Sequence, residues 1–268
     1  MERPDAPLQL ADVQSLPDHR NIALERVGIK NIRYPVRVFD KENRFQETVA
    51  SINMYVNLPR HFKGTHMSRF VEILNQFRRR IDVTTLPRIL EEMKRRLSAD
   101  EAHLEIDFPY FIEKSAPVTG APGLMEYQCG LHGTMKKRLD MVLVASVPVT
   151  TVCPCSKEIS DYGAHNQRGE VRVKVRFRGF VWLEELIGEI EGASSSEVYS
   201  VLKRPDEKFV TEQAYQSPMF VEDLVRNVYQ RLRANPAITW FSIEAENFES
   251  IHNHSAYAAT TWGDPAPI

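Results

Sequence analysis

Glu170-Val171-Arg172-Val173-Lys174-Val175-Arg176-Phe177-Arg178 alternates without a break, with three valines and a phenylalanine on one side and charged residues on the other. Successive side chains of a strand point to opposite faces, so this stretch predicts a strand with one buried and one wet face. Such a strand belongs in an antiparallel sheet covered on one side only. Working outward, the same texture recurs. Tyr34 to Phe39 and Thr48 to Val56 are rich in β-branched and aromatic residues, and the turn-like Asp40-Lys41-Glu42-Asn43 between them predicts a hairpin. Further strands are expected over about 102–112, over 124–150 as one long or split strand, and from Trp240 to Phe248.

Between these strands the apolar period changes to that of a helix. Phe70, Ile73, Leu74 and Phe77 follow Ser68, a candidate N-cap, and Leu86, Ile89, Leu90, Met93 and Leu97 follow Thr84-Thr85. Leu183 to Ile190 predicts another helix. A further one is expected to begin at Ser217-Pro218, with Phe220, Leu224, Val225, Val228, Tyr229 and Leu232 on its apolar face. Each half therefore reads as strands, helices, strands, which predicts an α+β fold of antiparallel sheets backed by paired helices. Residues 1–22 are expected to form a proline-punctuated arm, 23–150 a first module and 151–268 a second, with a loose end from Thr261.

A formal net charge of -2 over 268 residues gives no bulk attraction to nucleic acid or anionic membrane, so an anionic ligand must be held by a local basic cluster. Three cysteines are too few and too odd for a disulfide framework and fit a reducing cytosol. No window reaches the roughly 18–20 apolar residues of a membrane helix, and the first residues lack the apolar core of a signal peptide. A cytoplasmic protein is expected.

Four segments concentrate reactive side chains. Cys153-Pro154-Cys155-Ser156-Lys157 is followed by His165-Asn166-Gln167-Arg168, a set of thiols, imidazole and basic groups in a loop between two strands. One intervening residue leaves too little chain for an unstrained Cys153–Cys155 disulfide, so metal binding or nucleophilic chemistry is the better use. Glu249-Ser250-Ile251-His252-Asn253-His254 offers a general base and proton shuttles at a strand end. Lys203-Arg204-Pro205-Asp206-Glu207-Lys208 reads first as solvated surface, though either acid is a candidate metal ligand. Glu222 reads as helix surface, or as a carboxylate gripping the N–H edge of a purine. Arg60 to Arg69, with His61, Lys63 and His66, joins strand to helix as a basic connector or a phosphate site.

Taken together, Lys63-Gly64-Thr65-His66-Met67-Ser68-Arg69-Phe70, Cys153-Pro154-Cys155-Ser156-Lys157 with Gly163 to Arg168, and Glu249-Ser250-Ile251-His252-Asn253-His254-Ser255-Ala256 resemble the signatures of the prokaryotic type IB GTP cyclohydrolase I family. The resemblance covers essentially the chain beyond the arm. It implies a tunnelling fold and a homo-oligomer, a tetramer, with active sites at subunit interfaces. It also implies the metal-dependent conversion of GTP and water to formate and 7,8-dihydroneopterin triphosphate, the entry to tetrahydrofolate and deazaguanine biosynthesis. Carried over by motif position, Cys153, Glu207 and His165 are the expected ligands of a divalent Zn, Mn or Fe ion. Glu249 and His252 are the expected proton carriers, with Cys155 facing substrate and Glu222 on the guanine. His61, Lys63, His66, Arg69, Lys157, Arg168, Lys203 and Arg204 form the pool for the triphosphate. The rival readings are an NADPH-dependent nitrile reductase of the same fold with a cysteine nucleophile, and a non-catalytic metal or redox sensor. The first leaves the Glu207 and Glu249–His252 segments unused, the second Glu222 and the Lys63–Arg69 motif.

Overall fold

A computed structural model describes residues 12, 14, 16–77 and 81–264. In chain order the elements are β1 (Leu24–Asp40), β2 (Arg44–Leu58), α1 (Met67–Gln76), α2 (Leu86–Leu97), β3 (Ala102–Ser115), β4 (Pro122–Met135) and β5 (Leu139–Val152). They continue with α3 (Pro154–Ile159), β6 (Asn166–Phe177), α4 (Leu183–Glu191), α5 (Arg204–Gln216), α6 (Val221–Ala234), β7 (Ile238–Asn247) and β8 (Ala256–Gly263). All eight strands form one antiparallel sheet whose spatial order is the chain order, β1 to β8. The α+β class and the antiparallel sheet are as expected.

One face of the sheet carries the core. Val171, Val173 and Val175 of β6 are fully buried, as are Val147 and Val149 of β5 and Phe241 and Ile243 of β7. Each such side chain contributes about 1.5–3 kcal/mol relative to leaving it in water. Helices α1 and α2 cover this face over the first strands, through Phe70, Ile73, Leu74, Leu86, Ile89 and Leu90. Helices α4 and α6 cover it over the later ones. The opposite face is polar, with Arg172, Lys174 and Glu244 on β6 and β7. The β1–β2 turn is fixed by Asp40, whose Oδ1 accepts the N–H groups of Glu42 and Asn43 at 3.0 and 2.6 Å.

Several boundaries differ from the sequence reading. Of the two forms expected over 124–150, the split one is found, with the break at 136–138. Helix α1 begins at Met67, with His66 rather than Ser68 at its N-cap. Helix α6 begins at Val221, not at Pro218. The Met219 N–H bonds the Val152 carbonyl at 3.0 Å, which holds the chain extended there, while Asp223 accepts the Phe220 N–H and caps the helix. Ser217 instead closes α5, a helix formed by the charge run that read as surface. Residues 261–263, expected to be loose, complete β8; 265–268 lie outside the described residues, as do 1–11 of the arm. The described part of the arm is strapped down: Lys63 and Gly64 donate to the carbonyls of Leu16 and Gln14, and Asp18 donates to that of His61.

Candidate functional site

The β5–β6 ladder pairs Thr151 with Gln167 and runs one step past the strand ends, where the Cys153 N–H bonds the His165 carbonyl at 3.1 Å. Cys153 and His165 therefore face each other across the mouth of the hairpin. Pro154 follows at the first turn of α3, where its missing N–H costs nothing, and Cys153 serves as N-cap with Sγ 3.5 Å from the Ser156 N–H. Ser156 Oγ donates to the Cys153 carbonyl at 3.1 Å and accepts the His165 N–H at 3.2 Å, closing the loop. Cys153 is half-buried, and Cys155, one residue into α3, is exposed.

The third strand end adds Glu249 and Ser250. Gln167 Nε2 lies 3.5 Å from Glu249 Oε1, and His165 Nδ1 lies 3.2 Å from Ser250 Oγ. Anchoring one imidazole nitrogen on Ser250 leaves Nε2 as the free ligand or proton carrier. His252 is exposed and stacks on His254 with centroids 5.2 Å apart. Cys153, His165 and Glu249 thus lie at the same end of the sheet, at the ends of three adjacent strands. Arg168 shares this end, but its side chain leaves by the opposite face of β6, away from Gln167.

Helix α5 reaches the same end. Asp206 is fully buried and accepts the N–H groups of Val118, Thr119 and Lys203 at 2.8 Å each and the Thr119 hydroxyl at 2.7 Å. Burial pushes its pKa up, but these hydrogen bonds outweigh that and hold it down at about 2. Asp206 is therefore the anchor of α5 on the β3–β4 turn. Glu207, Lys203 and Arg204 remain exposed beside it. Lys157 Nζ is 2.6 Å from the Tyr215 carbonyl and stacks over the Tyr215 ring, tying α3 to the C-terminal end of α5. Glu222 lies exposed in the first turn of α6, in a cleft with Arg226, Tyr229 and Ala258 to Thr260 of β8.

The remaining basic residues are elsewhere. Because adjacent strands are antiparallel, the C-terminal end of β2 and the C-terminal end of β5 lie at opposite ends of the sheet. His61, Lys63, His66 and Arg69 therefore sit roughly 40 Å from Cys153, the length of β5 at about 3.3 Å per residue. His66 Nε2 contacts Asp12 at 3.2 Å and Arg69 donates to the Arg96 carbonyl at 3.1 Å. Among the described residues no three His, Cys, Asp or Glu side chains come together closely enough to hold a metal ion. Cys153 and His165 suit a divalent metal in chemistry and adjacency; Glu207 suits it in chemistry alone.

A family model described as type I GTP cyclohydrolase folE2 matches residues 10–258. The chain belongs to this family. It is 61% identical over 251 residues to the GTP cyclohydrolase FolE2 of Syntrophobacter fumaroxidans, covering 93% of this chain and 98% of that protein. The FolE2 protein of Geobacter sulfurreducens is 61% identical over 250 residues, covering 93% of this chain and 97% of its own length. Among solved structures, a uricase from Bacillus fastidious superposes with a TM-score of 0.57 at 9% identity, over 90% of this chain and 93% of that one. That likeness is one of fold alone and agrees with the tunnelling fold. In this FolE2-family chain, sequence reasoning placed Gln167, Ser250 and Ser156 within the motifs but gave them no role of their own; in the structure they hydrogen-bond the other groups. Sequence reasoning also offered Asp206 as a ligand, a role its four hydrogen bonds preclude. No helix among the described residues is long and apolar enough to cross a membrane.

Proposed function

We infer that this chain is a type IB GTP cyclohydrolase that hydrolyses GTP to 7,8-dihydroneopterin triphosphate and formate, the opening step toward tetrahydrofolate and deazaguanine-modified tRNA. The observation that carries this reading is the meeting of Cys153, His165 and Glu249 at three adjacent strand ends, in a chain 61% identical to FolE2 relatives over nearly its whole length. Cys153 and His165, with Glu207 from α5, would hold a divalent Zn, Mn or Fe ion. Such an ion, when bound, supplies the Lewis acidity that makes water a competent nucleophile at neutral pH. The Glu249 carboxylate takes a proton from the water that adds at purine C8. His252 returns one to the ring nitrogen as the C8–N bond opens. Cys155 faces the substrate, and Glu222 pairs with guanine N1–H and the 2-amino group.

The two basic groups support an assembled site. Lys157, Arg168, Lys203 and Arg204 lie at the Cys153 end, whereas His61, Lys63, His66 and Arg69 lie at the other. One triphosphate can meet both only if two subunits contribute. Among the described residues β1 and β8 each pair on one side only, and such open edges invite pairing with another copy. A homo-oligomer, a tetramer with active sites at its interfaces, follows from this reading, with the repeated order of strands and helices in the two halves as its two modules.

The test is GTP turnover by metal-stripped protein with Zn²⁺, Mn²⁺ and Fe²⁺ added back separately, read as pterin fluorescence after oxidation and as formate. Metal-dependent pterin is the expected result. No pterin with any metal, from folded oligomeric protein, would overturn the assignment in favour of the NADPH-dependent nitrile reductase.

A further inference from the structure

Three of the buried side-chain oxygens that lack a hydrogen-bond partner are Thr151 Oγ1, Gln167 Oε1 and Asn247 Oδ1. They come from three consecutive strands, β5, β6 and β7, and each lies two residues from a site residue: Thr151 from Cys153, Gln167 from His165, Asn247 from Glu249. Two residues is the period of one strand face. Thr151 continues the Val147–Val149 row, Gln167 the Val171–Val175 row and Asn247 the Ile243–Ala245 row, so all three share the covered face. Register places them together. Thr151 pairs with Gln167, and Asn247 pairs with Gly169, the same-face neighbour of Gln167. A Cβ at position 169 would stand 2.5 Å from Asn247 Oδ1, so glycine is what leaves that carbonyl uncovered. These residues are 0, 7 and 1% exposed, too closed for a nucleotide to reach.

Buried polar atoms in folded proteins are paired with protein or with ordered water. The donor arithmetic here suits one water. Its two O–H bonds satisfy the carbonyl oxygens of Gln167 and Asn247, and its oxygen accepts the Thr151 hydroxyl proton. Fixing the Gln167 carbonyl also fixes the opposite end of the amide, whose Nε2 points at Glu249 Oε1 from 3.5 Å. We propose that Thr151, Gln167 and Asn247 form a buried water site that positions the Glu249 carboxylate through the Gln167 amide. The water site stands on the geometry alone. The positioning role rests on the proton-carrying role given above to Glu249.

Thr151→Val keeps the shape and removes the hydroxyl, so it separates the possibilities by sign. In the metal-loaded full chain it lowers the melting temperature and lowers kcat by about tenfold, with KM for GTP and metal content unchanged. A raised melting temperature with unchanged kcat, the outcome for a hydroxyl that had no partner to lose, would overturn the water site. The second variant is Gln167→Met, made alone and with Glu249→Gln. If Gln167 acts through Glu249, the double variant is no slower than Glu249→Gln by itself. Losses that multiply overturn the positioning role. Full kcat in Glu249→Gln alone overturns the role given to Glu249, and the positioning role with it, while the melting temperature of Thr151→Val still reports on the water site.

Discussion

Replacing Lys114 with methionine tests how the site end of the sheet is braced. Lys114 on β3 sends Nζ to Glu191 Oε1 at 2.7 Å, to Glu197 Oε2 at 2.7 Å and to the Val198 carbonyl at 3.1 Å. Its side chain is 12% exposed and that of Glu191 8%. The segment it grips then bonds the end of β5: Ser195 and Ser196 donate to the Thr150 carbonyl, and Ser196 returns its own carbonyl to the Thr150 N–H. Burial pushes the Glu191 pKa above the usual carboxylate range, and Lys114, with Tyr127, pulls it partly back. Breaking a buried pair from one side costs about 3–5 kcal/mol, because the remaining charge stays buried without a partner. At roughly 2–4 °C per kcal/mol for chains of this size, Lys114→Met should melt about 6–20 °C lower near pH 7.5.

The pH dependence has a definite sign. A carboxyl with a raised folded pKa makes the native state bind more protons than the unfolded state between the two pKa values, so stability falls as pH rises through that window. Removing Lys114 raises the folded value further and stretches the window toward neutrality. The deficit relative to the parent protein should therefore shrink at pH 5, and Glu191→Gln in the same background should restore much of it. The assay is differential scanning calorimetry at one fixed protein concentration, since association shifts the midpoint. An equal deficit at both pH values, with no recovery from Glu191→Gln, would refute the reasoning.

Other outcomes can be checked separately. Cys153→Ala should lose metal and activity together, whereas Cys155→Ala should lose activity and keep metal; equal metal loss in both would contradict their division of labour. Glu222→Gln should raise KM for GTP by more than about tenfold, on the order of 1.4 kcal/mol, and an unchanged KM removes it from the guanine contact. Asp206, with its pKa lowered to about 2, contributes stability above the unfolded carboxylate value that is lost as pH falls toward 2; acid unfolding of Asp206→Asn should show a shallower dependence between pH 4 and about 2. Cys129 is buried and its thiol pKa is pushed up by burial, so a thiol reagent at pH 8 should modify Cys153 and Cys155 in native protein and Cys129 only after denaturation.

The sheet was legible in the sequence wherever one face was buried. β6 announces itself because Val171, Val173 and Val175 meet the core while Arg172 and Lys174 meet water. Helices α1, α2 and α6 were legible through their apolar stripes. Helix α5 was not, because only Asp206 and Ala214 of its thirteen residues are buried and it presents no stripe to read. Helix α3 is a single capped turn with no buried residue. At the candidate site, the motifs drew attention to Cys153, His165 and Glu249, but Thr151, Gln167 and Asn247 beneath them were not read as one polar row. Its signal was present: the valine rows of β5 and β6 and the Phe241–Ile243–Ala245 row of β7 each end in Thr151, Gln167 or Asn247 on the same face. The separation of the Lys63–Arg69 motif from Cys153 was not legible, because it depends on the direction of every intervening strand.

Strand order equal to chain order has a consequence for biogenesis. As the polypeptide leaves the ribosome, each new strand finds its partner already outside the exit tunnel, and no early strand waits for a neighbour encoded far downstream. The two long waits are at β2 and β6, whose next partners arrive only after 59–101 and 178–237. Those intervals encode helices α1 and α2, and then α4 to α6. Helices α1 and α2 pack on β1 and β2, and α4 packs on β5, so part of the apolar face of the half-built sheet is covered while its edge is still open, which limits aggregation of the nascent chain.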